Sequence, residues 1–212
     1  MRIEQLLRNS GKAINGILGN SDWQKKMNPL GFNATELQTG LATRSELQLL
    51  AAAQQQEYGE QYSATDALYQ AKQAAWKIYK HHLQVARLAV GDDRGQYKAL
   101  QLNGAREYSI LKWIEQARTF YSNARKIADQ LKTYGIKAED LAQGEAAIEA
   151  VYLAYDQRDK ERDEARQSTQ TRKQKEAELT RWMRRYVRAL YFAFEDQPEV
   201  LKELGLKVKE EA

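Results

Sequence analysis

The chain has no cysteine, two prolines and two histidines in 212 residues, and each scarcity removes a class of chemistry. Without cysteine there is no disulfide, no thiolate nucleophile and no thiolate-bound metal. The histidines are neighbours, His81 and His82. Adjacent side chains on a helix point about 100° apart, so the pair cannot close on one ion from a single face. Neither is preceded by the acid-x-x-His pattern of carboxylate metal bundles. A phosphate-cradling glycine loop, a nucleophile elbow and a calcium loop are also missing. No stretch approaches the ~18–20 apolar residues that span a bilayer. Met1–Arg8 lacks the apolar run and small-residue cleavage site of a secretion signal. The expectation is a non-enzymatic cytoplasmic protein with no catalytic residue, cofactor, metal or membrane contact.

What the chain does contain is helix-forming. Ala, Leu, Gln, Glu, Lys and Arg are abundant, which predicts an all-α protein. Hydrophobic residues make up 42% of the chain, enough for a modest core, and the 29% charged residues suit long exposed helix faces. The net charge of +4 is a small excess spread over both halves, so bulk charge alone is a weak pointer to nucleic acid.

The sequence also reads twice. A shift of 104 positions lays Gly31–Leu37 on Gly135–Leu141, Gly40 on Gly144, Leu49 on Leu153, Ala89 on Ala193 and Asp92 on Asp196, with coincident apolar positions. A fixed period of this kind is the mark of a duplicated structural unit. It predicts two tandem, pseudo-symmetric three-helix units, each a helical hairpin plus a helix, over residues 1–104 and 105–212, with a single merged domain as the alternative.

In the second copy, apolar residues at three- and four-residue spacing predict a helix over about 105–134, closed by Gly135 in a left-handed conformation. A second helix starts near Ala138-Glu139-Asp140, whose acids suit a helix N-terminus. A third carries Leu179, Trp182, Met183, Tyr186, Leu190 and Phe194 and stops before Pro198. Copy one repeats the plan, with Asn33 or Thr35 as the cap after Gly31. Between the last two helices of each copy there is a choice. Gly59 and Ser63-Ala64-Thr65-Asp66 favour a hairpin tip in copy one, and the polar stretch 156–178 is read as the matching tip. The alternative is one uninterrupted helix of about 56 residues, roughly 84 Å long.

The sharpest candidate site is Arg181, Arg184, Arg185 and Arg188, interleaved with Trp182 and Tyr186. On a helix these arginines share one side, where they suit phosphates or an acidic surface. The 104-residue shift sets Lys77, Lys80, His81 and Gln84 beneath them, so the patch is half duplicated. The competing structural account has the arginines covering the core's edge with their stems and pairing with acids of the helix that starts at Ala138. His82 falls on the apolar side and His81 on the exposed side. The alternating charges of 156–178 read as a solvated helix face laced by pairs such as Asp159/Arg162. Trp23 is read as a plug at the end of the bundle, with an anchor for a partner as the alternative.

Gly-Ile-x-Ala-Glu-Asp-Leu at 135–141 and Asp-Gln-Pro-Glu-Val-Leu-Lys-Glu-Leu-Gly-Leu at 196–206 resemble segments of uncharacterised bacterial helical proteins with a duplicated unit. That resemblance implies no activity and no catalytic residue. The unit is also similar in size to a spectrin repeat, but Gly91-Asp92-Asp93-Arg94-Gly95 breaks the helix that a spectrin array carries through. The leading expectation is a scaffold with a protein partner or self-association through helix faces. The alternative is an anionic partner, nucleic acid or a phosphorylated surface, bound by the arginine face.

Overall fold

A computed structural model describes residues 3–208, which are helical with no strand among them. The chain opens with α1 (Ile3–Leu18), whose 3.6-residue apolar stripe buries Leu6, Ala13, Ile14 and Ile17. Asn20 then caps α2 (Ser21–Met27), its side-chain oxygen accepting from the backbone N–H groups of Asp22 and Trp23. A 3-10 turn over Asn28–Leu30 ends at Gly31, whose φ of +83° is the left-handed stop that a side chain would strain.

Two very long helices follow this pattern of punctuation. α3 (Ala34–Val90) runs for 57 residues from an Asn33 cap that accepts from the Glu36 N–H at 2.9 Å. Next come the short α4 (Arg94–Ala99), capped by Asp93, and α5 (Ile110–Ala124). α5 leads through a 3-10 turn over Arg125–Ile127 into α6 (Ala128–Thr133). Gly135, at φ +91°, stops α6 as its position predicted. α7 (Ala138–Ala193) is 56 residues long, and α8 (Pro198–Glu203) starts on the proline.

The continuous α3 and α7 overturn the hairpin in both halves. The residues read as hairpin punctuation are absorbed into the helix. Gly59 lies inside α3 with open space around it, a cost of about 1 kcal/mol relative to alanine. The apparent caps turn back on their own helix. Ser63 Oγ donates to the Gly59 carbonyl at 3.0 Å and Thr65 Oγ1 to that of Gln61 at 2.8 Å. Thr169 and Thr171 do the same to Ala165 and Gln167, at 2.9 and 3.0 Å. The alanine- and glutamine-rich sequence around them favours helix throughout.

With no hairpin turn, the segments that share a core differ from those expected. The chain divides into two compact units. Unit one takes the described residues through Tyr58 together with those from Glu164 onward, and unit two is Gly59–Asp163. Unit one buries Leu6, Ile14, Ile17, Met27, Leu37 and Leu47 with Leu179, Tyr186, Leu190 and Phe194. The beginning of α3 is therefore packed with the end of α7. Unit two buries Tyr79, Leu83, Trp113, Ile114, Phe120 and Tyr121 with Leu141, Ile148 and Val151, joining the end of α3 to α5 and the beginning of α7. The 104/105 junction lies within unit two. There the Arg106 guanidinium donates to the Tyr79 hydroxyl at 3.2 Å and to the carbonyls of Gln101 and Asn103 at 2.7 and 3.0 Å.

A candidate anion-binding groove on unit one

The last third of α7 is built from two faces. Trp182, Met183, Tyr186 and Leu190 are buried in the core of unit one. At about 100° per residue, Arg181, Arg184, Arg185 and Arg188 fall within roughly 100° of arc on the other side, and all four are exposed.

The rings behind them are rigidly held. The Trp182 indole N–H donates to Glu36 Oε1 at 2.8 Å. Its ring meets Phe32 edge-on, at 5.7 Å between centroids, and lies tilted against Tyr186 at 4.9 Å. The indole also rests directly on the α3 backbone at Gly40, where an added Cβ would fall 2.5 Å from Trp182 Cη2. Tyr186 donates its hydroxyl hydrogen to the Ala13 carbonyl at 3.0 Å, and burial pushes its phenol well above the ordinary range. The arginines thus stand on a core that fixes their backbone.

Together with Glu36, Thr39, Thr43, Glu178 and the edge of Trp182, the four arginines line a groove of about 680 Å³. A second depression of about 590 Å³ shares Glu36, Arg185 and Arg188 and is walled by Leu30, Gly31, Phe32, Ala189 and Phe192. The two carboxylates are already engaged. Glu36 accepts from the indole and lies 3.7 Å from the Arg185 guanidinium. Glu178 pairs at 2.8 Å with the Lys175 ammonium, which also holds Glu46 at 2.8 Å. These hydrogen bonds, first that to Glu178 and then that to Glu46, raise the pKa of Lys175. The hydroxyls of Thr39 and Thr43 are turned back to the carbonyls of Thr35 and Thr39. Among the described residues, Arg181, Arg184 and Arg188 have no ion-pair partner.

The structure therefore brings the four predicted arginines together, but with different neighbours. The acids beside them are Glu36, from the start of α3, and Glu178, not those at the start of α7. Phe192 and the α3 side of the groove escaped the sequence reading. For Phe192 a signal existed, since it follows Arg188 by four residues and falls on the arginine arc. For Glu36, Thr39 and Thr43 there was none, because only the pairing of α3 with α7 puts them there.

The remaining candidates have structural places. His82 is buried and shares a 3.1 Å hydrogen bond between its Nδ1 and the Tyr121 hydroxyl, while His81 is exposed. Burial first, and the neighbouring His81 second, push the His82 pKa below its ordinary value of 6.5, with Asp140 opposing. The two ring centroids lie 5.9 Å apart with the planes tilted by 49°. Trp23 is half-buried and packs edge-on against Phe194, 6.1 Å between centroids, which is the plug position. Within 156–178, Asp159 pairs with Arg158 at 2.6 Å and Arg162 at 3.5 Å, yet Glu161 and Ala165 are buried, so the stretch is not a wholly solvated face. No helix among the described residues is long and apolar enough to cross a membrane. Comparison with protein-family models, with curated proteins and with solved structures gives no match to this chain.

Proposed function

We propose that this is a non-enzymatic helical interaction protein whose arginine-lined groove holds an anionic group of a macromolecular partner. One observation carries the reading: three arginines without an acidic partner among the described residues line one groove, on a backbone locked by Trp182 and Tyr186. A guanidinium presents a planar fork of donors, so two of them can grip one phosphate or carboxylate through charge-assisted bonds. The test is retention of the full chain on an immobilised polyanion, titrated with salt. Binding should weaken steeply as salt rises. Arg184→Ala with Arg185→Ala should abolish it without changing the helical circular dichroism, and unchanged retention would sink the reading.

A second reading, a self-associating scaffold, is favoured by a different surface. Tyr62, Tyr69 and Trp76 recur every seven residues on α3 and are 69%, 63% and 39% exposed. Heptad-spaced apolar residues suit the seam of a second helix. Light scattering of a dilution series should show a dimer that Tyr62→Glu with Tyr69→Glu dissociates.

We also read the two halves as copies of one ancestral unit, still in register. α4 and α8 begin and end 104 residues apart. The Phe32 and Ile136 N–H groups return to the Met27 and Leu131 carbonyls, and those of Leu102 and Leu206 to Tyr97 and Leu201. Gln101, the one non-glycine residue with positive φ among the described residues, at +48°, corresponds to Gly205 at +81°.

A further inference from the structure

The geometry points to a single strand of nucleic acid as the occupant of this groove, its phosphates on the arginine row and a base on Phe192. The inference rests on the anion-binding reading above and adds the class of ligand.

Three observations favour a strand over other anions. The first is that the positive charge is a row rather than a pocket. Arg181, Arg185 and Arg188 follow at four and three residues, so consecutive guanidinia start from positions about 5–6 Å apart along one helix face. One phosphate needs two of them, whereas a row of this kind matches a polyanion. Second, Phe192 extends the same row by one more turn, is 68% exposed and lines the second depression. The carboxylates of an acidic peptide do not stack on that ring. A nucleobase, with a π-face on either side, stacks on it. Third, the depression beside Phe192 has apolar walls from Leu30, Phe32 and Ala189, while Arg185 and Arg188, with Glu36, bound it. A base therefore meets apolar surface where its phosphate meets charge. The two acids in the groove do not forbid a polyanion, because four arginines stand against Glu36 and Glu178 there, and Lys175, shared with Glu46, also faces Glu178.

A duplex hides the faces of its bases, so this arrangement selects single strands. Because Phe192 reads a base only by stacking, sequence preference should be slight.

Fluorescence anisotropy on the full chain decides the matter. The labelled probes are oligothymidylate, oligouridylate of the same length, a duplex of that length, polyglutamate and inorganic polyphosphate. One or both single strands should bind at low salt, with the duplex at least about tenfold weaker. Base–aromatic stacking contributes about 1–3 kcal/mol, so Phe192→Ala should weaken the single strand roughly 5- to 150-fold. The same change should leave polyphosphate binding untouched, and Phe192→Trp should restore the strand. Arg184→Ala with Arg185→Ala should weaken strand and polyphosphate alike. If polyglutamate or polyphosphate binds through the arginines and neither single strand does, the nucleic-acid assignment falls and the anion groove stands. Equal binding of duplex, or an inert Phe192→Ala, also overturns the assignment. No binding of any probe overturns both.

Discussion

Unit one and unit two place different surfaces over the stretches of helix that the 104-residue shift aligns. In unit one the end of α7 sets Arg181, Arg184, Arg185 and Arg188 over buried Trp182 and Tyr186. One period earlier, in unit two, the end of α3 sets Lys77, Lys80, His81 and Gln84 over half-buried Ile78 and buried His82. The exposed aromatic row goes the other way. Tyr62, Tyr69 and Trp76 on α3 correspond to Arg166, Lys173 and Thr180 on α7. The buried residues are mostly apolar or aromatic in both halves, with Ser10, Thr43, His82 and Glu161 as the buried polar ones, while the outward faces differ. The lesson is that burial constrains only one face of a helix, so any specialised chemistry has to be sought on the other.

That contrast can be broken at several levels of effect. The largest should come from the ring that closes unit one. Trp182→Ala removes a buried indole, its hydrogen bond to Glu36 and its contact with Gly40, and should cost about 3–5 kcal/mol in urea unfolding. Ile78→Ala, the same position one period earlier, should cost clearly less because Ile78 is only half-buried. Equal losses would mean that the two units hold these positions alike.

Next comes the pair of buried phenols. Tyr186→Phe strands the Ala13 carbonyl and Tyr121→Phe strands the His82 ring, each costing about 0.5–1.5 kcal/mol in the same unfolding measurement. The two should differ in their pH dependence. Because the folded pKa of His82 lies below 6.5, the unfolded chain takes up the proton first as the solution is acidified. The stability contributed by neutral His82 is therefore complete above that value. It is lost progressively as pH falls below it, toward the folded pKa. Melting temperatures between pH 7.5 and 5 should drop in the wild type and flatten in His82→Gln. An unchanged slope would remove His82 from the account.

The smallest expected effect concerns charge around the groove. Lys175→Gln should change stability by less than about 1 kcal/mol, as partly exposed pairs do. It frees the Glu178 carboxylate in the arginine groove and should weaken polyanion binding a few-fold at low salt. The difference should vanish at high salt, where exposed charges are screened.

Some of this was open to reading from the residues alone, and the boundary is physical. Gly31 and Gly135 follow apolar-periodic runs, and both adopt the left-handed conformation that ends a helix. The arginine arc needed only the 3.6-residue period. Ser63-Ala64-Thr65-Asp66 misled because its hydroxyls have two local partners of similar worth, a cap site or the carbonyl four residues back. Nothing nearby in the chain decides between them.

The amino-acid sequence by itself determined that this protein is helical, where its helices end at left-handed glycines, and that four arginines share a face. Those properties follow from bonds and contacts within a few residues. Only the tertiary structure decided that α3 and α7 run unbroken and that the start of one packs with the end of the other. It also decided that Glu36, Thr39 and Thr43 complete the groove. The physical reason is that such pairing is settled by burial between residues as distant as Glu36 and Trp182, 146 positions apart, where local preference has no vote.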